Sequence, residues 1–326
     1  MPHVICVRPI HEEAIARMRA TPGVTVEVLM DLSPESMAAN LPKADALIVR
    51  TIRIDRAFLA NCPNLKILVR HGVGYDIVDV PALTERGIPL AITPEANAVS
   101  VAEHALMMML ACARKLPAFN ANMHQPTPVW GSQPSLPTFD LAGKTVLVMG
   151  FGRIGTRVAK LCAAFGMHVL VRDPNVAKGS IRGLGFEPVD DAAEAAGRAD
   201  IVTLHVPSSA ETRNLADAAF IARMKKGAVL VNTARGTVLD QNALEAALRA
   251  GHLSAAGIDV FEEEPVETPI SLLSAPNLIM TPHVAASTAE GLRRMALDSA
   301  AAALACFTGT LDPDVIVNKE VLPRRN

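Results

Sequence analysis

The chain has 326 residues, half of them hydrophobic and a fifth charged, with a formal net charge of −2 at neutral pH. That is enough apolar material for two domains, at roughly 100–200 residues each. The near-balanced charge and an aromatic content of 3% exclude nucleic acid or an anionic membrane surface as a partner. No apolar run approaches the roughly 20 residues that span a bilayer.

Cys6, Cys62, Cys112, Cys162 and Cys306 are scattered among apolar neighbours with no C-x-x-C pair. They read as small core residues in a reducing compartment, with no disulfide frame and no metal site. The first residues enter a strand at once, without the layout of a signal peptide, so the sequence predicts a cytoplasmic protein.

In chain order, the first hundred residues alternate strands and helices. Strands are expected at His3–Val7, Val24–Leu29, Ala46–Val49, Leu65–Val69 and Pro89–Ile92, and helices at Glu12–Ala20, Pro34–Asn40, Arg56–Asn61 and Val80–Arg86. Ser33 before Pro34 has the form of an N-cap followed by an N1 proline. Five strands joined by helices predict a parallel, doubly wound sheet. Immediately after the fourth strand, RHGVGYD (70–76) sets Gly72 and Gly74 where open α/β sheets bind ligands. From the local sequence this is equally an anion cradle of backbone N–H groups or a plain glycine turn.

A long apolar helix is expected from Val99 to Leu116, in which Met107–Met109 serve packing. Glu103 and His104 are adjacent there and point to different sides, so they make no two-ligand metal face. Residues 117–139 hold five prolines and the single tryptophan, Trp130. They are expected to form an extended arm or functional loop with no regular helix, Trp130 anchoring a substrate lid or a partner subunit.

TVLVMGFGRIG (145–155) is the centre of the second half of the chain. A short β-branched strand runs into Gly150, Gly152 and Gly155 in G-x-G-x-x-G spacing, and a helix closed by Gly166 comes next. Gly150 permits the tight turn, Gly152 lets backbone approach a pyrophosphate, and Gly155 lets helix and sheet pack closely. The fingerprint alone is weak. Here a second strand, HVLVRDP, ends in Asp173, 18 residues beyond Gly155, near the roughly 20 expected of the acid that takes the ribose hydroxyls of NAD.

Further strands are expected at Val146–Met149, Val169–Val171, Ile201–Leu204, Val229–Val231, Ala256–Asp259 and Leu278–Met280. Helices are expected at Asp217–Met224, Asp240–Ala250 and Ser287–Phe307. Three segments that follow strands carry reactive side chains: VNTARGTVLD with Arg235, GIDVFEEEP with Asp259 and Glu264, and NLIMTPHVAAST with His283. Each alone reads as ordinary surface. Following strands of one sheet, they gather at its carboxyl edge.

With these segments in order, the chain resembles the D-isomer-specific 2-hydroxyacid dehydrogenase family over essentially its whole length, and most closely its phosphoglycerate dehydrogenase and hydroxypyruvate reductase group. RHGVGYD, AEHALMMML, GKTVLVMGFGRIG, VNTARG, GIDVFEEEP and TPHVAAST carry the resemblance. It implies an α/β fold of two doubly wound parallel-sheet domains with a cleft between them. One is a flavodoxin-like substrate domain (1–98 plus 288–326), the other a Rossmann NAD-binding domain (99–287), with two crossing helices as the hinge.

The resemblance implies a catalytic set of Arg235 for the substrate carboxylate and keto group, His283 as general acid/base and Glu264 as its partner. It implies NAD contacts at Gly150, Gly152, Arg153, Ile154, Gly155, Asp173, Val206, Thr233, Ala234 and Asp259. Val206 stands where many relatives have threonine. Gly72, Val73 and Gly74 are implied at the substrate carboxylate, and Arg50 is a candidate for a substrate phosphate. The expected activity is hydride transfer between NAD and a small D-2-hydroxy acid or 2-keto acid, in a homodimer. The alternatives are a formate- or phosphite-type dehydrogenase of the same fold and an NAD(H)-sensing corepressor-like protein.

Overall fold

The computed structural model describes every residue but 132, 134 and 324–326. Parts of the expected arm and of the expected tail therefore lie outside the described residues. The chain divides into two compact units, Met1–Asn97 with Ser287–Asn326, and Ala98–Ala286.

The first unit is built on five strands: β1 (His3–Val7), β2 (Thr25–Leu29), β3 (Ala46–Val49), β4 (Ile67–Arg70) and β5 (Leu90–Ala91). They form a parallel sheet in the order β2-β1-β3-β4-β5, the flavodoxin-like winding. The inner strands β1, β3 and β4 are buried on both faces, which is why they read as near-continuous apolar runs. Along β1, Ile5 and Val7 enter one core and Val4 and Cys6 the other. Helices Glu12–Arg19, Pro34–Asn40, Arg56–Ala60 and Val80–Glu85 connect the strands. Ser33 caps its helix as expected, its side chain accepting from the Ser36 N–H. The late helix Ala289–Thr308 returns to this unit, where Ala296, Ala300 and Ala303 pack on the sheet. Alanines at this spacing share one helical face and let the helix sit close.

The second unit holds seven parallel strands: β6 (Thr145–Met149), β7 (His168–Arg172), β8 (Glu187–Pro188), β9 (Ile201–Leu204), β10 (Ala228–Asn232), β11 (Leu253–Ile258) and β12 (Leu278–Met280). Their order is β12-β11-β10-β9-β6-β7-β8. The winding reverses between β6 and β9, so the crevice of a dinucleotide fold opens at the carboxyl end of β6. Strand β8 is not among those expected from the sequence. It is two residues long, and its Pro188 is tolerated because the strand lies at the sheet edge.

One expectation is corrected. The apolar helix runs Ala98–Ala113 and stops, and a second helix, Leu116–Met123, takes up the first part of the supposed arm. Lys115 adopts a left-handed φ of +50° at the break, and its Nζ donates to the Ser254 carbonyl. Pro117 lies in the first turn of the second helix, where its missing N–H is harmless. Beyond it, Trp130 is 80% exposed.

Candidate active site

The glycine loop shows which of its three glycines the fold itself demands. Gly150 has φ +94°, and a Cβ there would lie 2.8 Å from the backbone of His205 and Val206. A Cβ on Gly155 would lie 1.9 Å from the Gly150 carbonyl oxygen. Both positions are closed to any side chain. At Gly152 nothing lies within 4 Å of a built Cβ, and this residue is the N-cap of helix Arg153–Ala164 without a side-chain cap. The loop is therefore tight underneath and open on top, at a helix N-terminus whose N–H groups suit an anion. Ile154 in the first turn packs on the core beneath.

Asp173 follows β7 and accepts from the Phe151 N–H at 2.7 Å and from the Asn175 N–H at 2.8 Å. One carboxylate oxygen thus ties β7 to the glycine loop. Val206, just beyond β9, is half-buried against the second core and supplies no hydroxyl. Two buried polar atoms at these strand ends, Thr233 Oγ1 and His205 Nδ1, have no hydrogen-bond partner among the described residues. The His205 ring bonds Thr203 Oγ1 through Nε2 at 2.8 Å, and burial pushes its pKa down to about 3. An open glycine cradle, a strand-end carboxylate and an orphaned hydroxyl fit a dinucleotide with phosphate, ribose and amide groups to satisfy.

The reactive side chains come from β10, β11 and β12, three neighbouring strands. Arg235 lies three residues past β10. Asn232 at the end of that strand is fully buried, its Oδ1 accepting from the Ala234 N–H and its Nδ2 donating to the Arg235 carbonyl. Arg235 Nη1 donates to the Ala234 carbonyl at 2.6 Å. A Cβ on Gly236 would lie 1.9 Å from the Phe261 carbonyl carbon. Glycine there lets the Arg235 loop and the Phe261–Glu262 backbone touch.

Glu264 and His283 meet directly. His283 Nδ1 lies 2.5 Å from Glu264 Oε2, and Glu264 Oε1 accepts from the Phe261 N–H at 2.8 Å. Burial raises the Glu264 carboxyl, but the hydrogen bonds from His283 and Phe261 and the nearby charges of His283 and Arg235 outweigh it. The group is held below the ordinary carboxylate range. His283 has φ +53°, a left-handed geometry rare outside glycine, and its N–H donates to the carbonyls of Asp259 and Thr281.

Asp259 is fully buried. Its carboxylate accepts from the Val284 and Ala285 N–H groups and from Thr281 Oγ1 at 2.5 Å. Its carboxylate holds the turn that carries His283.

In the first unit, RHGVGYD forms the loop after β4. Arg70 braces it from the strand end, Nε donating to the Gly74 carbonyl at 2.8 Å and Nη1 to the His71 carbonyl at 2.7 Å. Gly72 needs its φ of +139°, and its N–H is turned back on the Arg70 carbonyl, so it is not the open donor expected from the sequence. Arg50 Nη1 donates to the Pro9 carbonyl at 3.1 Å. Sequence reasoning missed the supporting roles of Arg70, Asn232, Gly236 and Thr281. The available signals were a strand-end Asn able to bond backbone two residues on, and a glycine directly behind the Arg.

Residues 106–285 match the model described as "D-isomer specific 2-hydroxyacid dehydrogenase, NAD binding domain". The chain is 40% identical over 288 residues to D-3-phosphoglycerate dehydrogenase of Archaeoglobus fulgidus, covering 88% of this chain and 54% of that protein. It is 38% identical over 272 residues to hydroxypyruvate reductase of Thermotoga maritima, covering 82% and 86%. It thus spans about half the length of the first and most of the second. Among solved structures, D-lactate dehydrogenase of Aquifex aeolicus, complexed with NAD and lactic acid, superposes with TM-score 0.85 at 27% identity, covering 99% and 100%. TT0316 of Thermus thermophilus gives 0.86 at 33%, covering 97% and 99%.

Proposed function

Because the chain belongs to the D-isomer-specific 2-hydroxyacid dehydrogenase family, we propose that it interconverts a small D-2-hydroxy acid and its 2-keto acid with NAD as the redox partner. Hydroxypyruvate, glyoxylate and 3-phosphohydroxypyruvate are the substrates to expect. The observation that carries this reading is the 2.5 Å His283–Glu264 pair, whose members follow β12 and β11 in the same sheet whose β10 leads into Arg235.

NAD, when bound, supplies or accepts the hydride. Gly150, Gly152, Arg153, Ile154 and Gly155 would cradle its phosphates, Asp173 its adenosine ribose, and Val206, Thr233 and Ala234 the nicotinamide half. Everything else falls to the chain's own side chains. Arg235 offers a fixed cation to the substrate carboxylate and to the oxyanion that grows on the carbonyl oxygen. With Nδ1 engaged by Glu264, His283 presents Nε2, from which the proton passes to that oxygen in reduction and to which it returns in oxidation. Glu264 fixes the ring's orientation. In the first unit, the Arg70-braced loop is suited to hold a carboxylate on the N–H groups of Val73 and Gly74, with Gly72 shaping the turn and Arg50 available to a substrate phosphate.

The test is NADH oxidation with hydroxypyruvate, glyoxylate, pyruvate and 3-phosphohydroxypyruvate. Turnover of at least one supports the reading, and turnover of none, with NADH bound, would identify a sensing protein instead. A cytoplasmic homodimer, assembled through the exposed apolar residues around Met123–Trp130, belongs to the same proposal. A monomer mass by light scattering at micromolar concentration would refute the assembly. No helix among the described residues is long and apolar enough to cross a membrane.

A further inference from the structure

Helix Ala98–Ala113 lies on β11, and a Cβ on Gly257 would meet the Met108 Cβ at 3.0 Å, so Met108 seats directly over that glycine. His104 precedes Met108 by one helical turn, and Asp259 follows Gly257 by one strand repeat. The two steps, about 6 Å and about 6.6 Å, nearly match. His104 Nε2 accordingly lies 3.0 Å from Thr281 Oγ1 and 3.8 Å from Asp259 Oδ1.

The proton arithmetic at Thr281 fixes the direction of these bonds. Its hydroxyl has one hydrogen, which goes to Asp259 Oδ1 at 2.5 Å. The contact with His104 therefore uses the hydroxyl's lone pair, and His104 must carry its proton on Nε2. The Asp259 carboxylate accepts from Val284, Ala285 and Thr281, and the His283 N–H bonds the Asp259 and Thr281 carbonyls. The same five-residue turn holds His283 at its left-handed φ.

We propose that His104 is a positioning residue for His283. Its Nε2–H locks the Thr281 hydroxyl onto Asp259 and so fixes the turn that aims the His283 ring, an inference that rests on the dehydrogenase reading above. An ordinary packing histidine would require only volume. This role requires a donor at Nε2.

Steady-state kinetics and ring 15N spectra of His104→Leu and His104→Gln test it. Gln places its amide N–H near the position of Nε2, whereas Leu removes the donor and keeps bulk. His104→Leu should lower kcat about tenfold or more with the KM for NADH nearly unchanged, and His104→Gln should recover most of it. The His283 ring signals, assigned by their loss in His283→Ala, should move in the Leu variant and return in the Gln variant. Near-normal kcat in His104→Leu, or equal impairment of both variants, would overturn the proposal. If His104→Leu does not fold, Thr281→Val against Thr281→Ser carries the same comparison, Ser restoring kcat and the His283 signal. If the wild-type protein turns over no 2-keto acid, the functional reading fails while the His283 signals still decide the role of His104.

Discussion

The backbone N–H of Phe151, inside the glycine loop, donates to the Asp173 carboxylate at the end of the next strand, 2.7 Å away. A single side chain therefore shapes the phosphate loop and presents negative charge where a ribose would lie. A 2′-phosphate at that place meets repulsion. The protein should use NADH with higher kcat/KM than NADPH, and Asp173→Ser should narrow the ratio while lowering the thermal midpoint through the lost loop bonds. Equal or better use of NADPH by the unmodified protein would contradict this.

The three glycines of the loop should separate in mutagenesis. Gly155→Ala forces a Cβ within 1.9 Å of a backbone oxygen and should destabilise the fold by several kcal/mol. Gly152→Ala meets open space and should leave the thermal midpoint within a degree or two of wild type, about ±0.5 kcal/mol. It should still weaken NADH binding, measured by fluorescence titration. Gly152→Ala with normal NADH affinity would remove that loop as the cofactor's phosphate site.

Arg235 and His283 should fail differently. Arg235→Ala removes a cation that serves both the carboxylate and the developing oxyanion, raising KM and lowering kcat by about 10²–10³. His283→Ala removes the proton donor and should lower kcat strongly with NADH affinity intact. Near-normal turnover by His283→Ala with the wild-type pH profile would eliminate the mechanism.

Glu264 is held below its ordinary value of 4.5, so it is a carboxylate throughout the neutral range. Its contribution to stability is present above that value and is lost as pH falls through the lower folded value. Glu264→Gln keeps the shape but removes the carboxylate that accepts from the His283 ring. With that anchor weakened, kcat for keto-acid reduction should fall about tenfold or more while the KM for NADH stays near wild type. Unchanged kcat would show that the pair does not serve turnover.

Two histidines with lowered pKa values should make the fold sensitive to mild acid. Burial, with the charge of Arg50 next, pushes His71 down to about 4, and burial pushes His205 down to about 3. Both folded values lie below the unfolded value of 6.5. The unfolded chain therefore binds more protons below pH 6.5, and stability falls as pH drops from there towards 4 and 3 respectively. Each histidine contributes up to about 1.4 kcal/mol per pH unit in its window. Urea midpoints from pH 7 to 5 measure the slope, and His71→Asn should flatten the share belonging to the first unit. A slope unchanged by that substitution would mean that His71 does not titrate this way.

The parallel sheets were legible in the chain because a strand buried on both faces must be continuously apolar, as VICV and VLVM are. The glycine fingerprint was legible because backbone collisions leave no other residue at Gly150 and Gly155. Arg235, Glu264 and His283 were nameable from the family-like segments around them. The pairing of Glu264 with His283 was likewise implied only by that resemblance, since nothing local places residue 264 against residue 283. The break at Lys115 escaped because a helix can restart across one left-handed residue when a proline occupies its new first turn. The sequence also left Asp259 and His104 without their actual neighbours. It determined which residues carry charge, hydroxyl and imidazole, and the period that buries each strand. Only the tertiary structure decided that Asp259 binds the His283 turn and that His104 stands behind it. Those contacts depend on how far one helix slides along one strand, which the packing of Met108 on Gly257 sets and no spacing within the chain encodes.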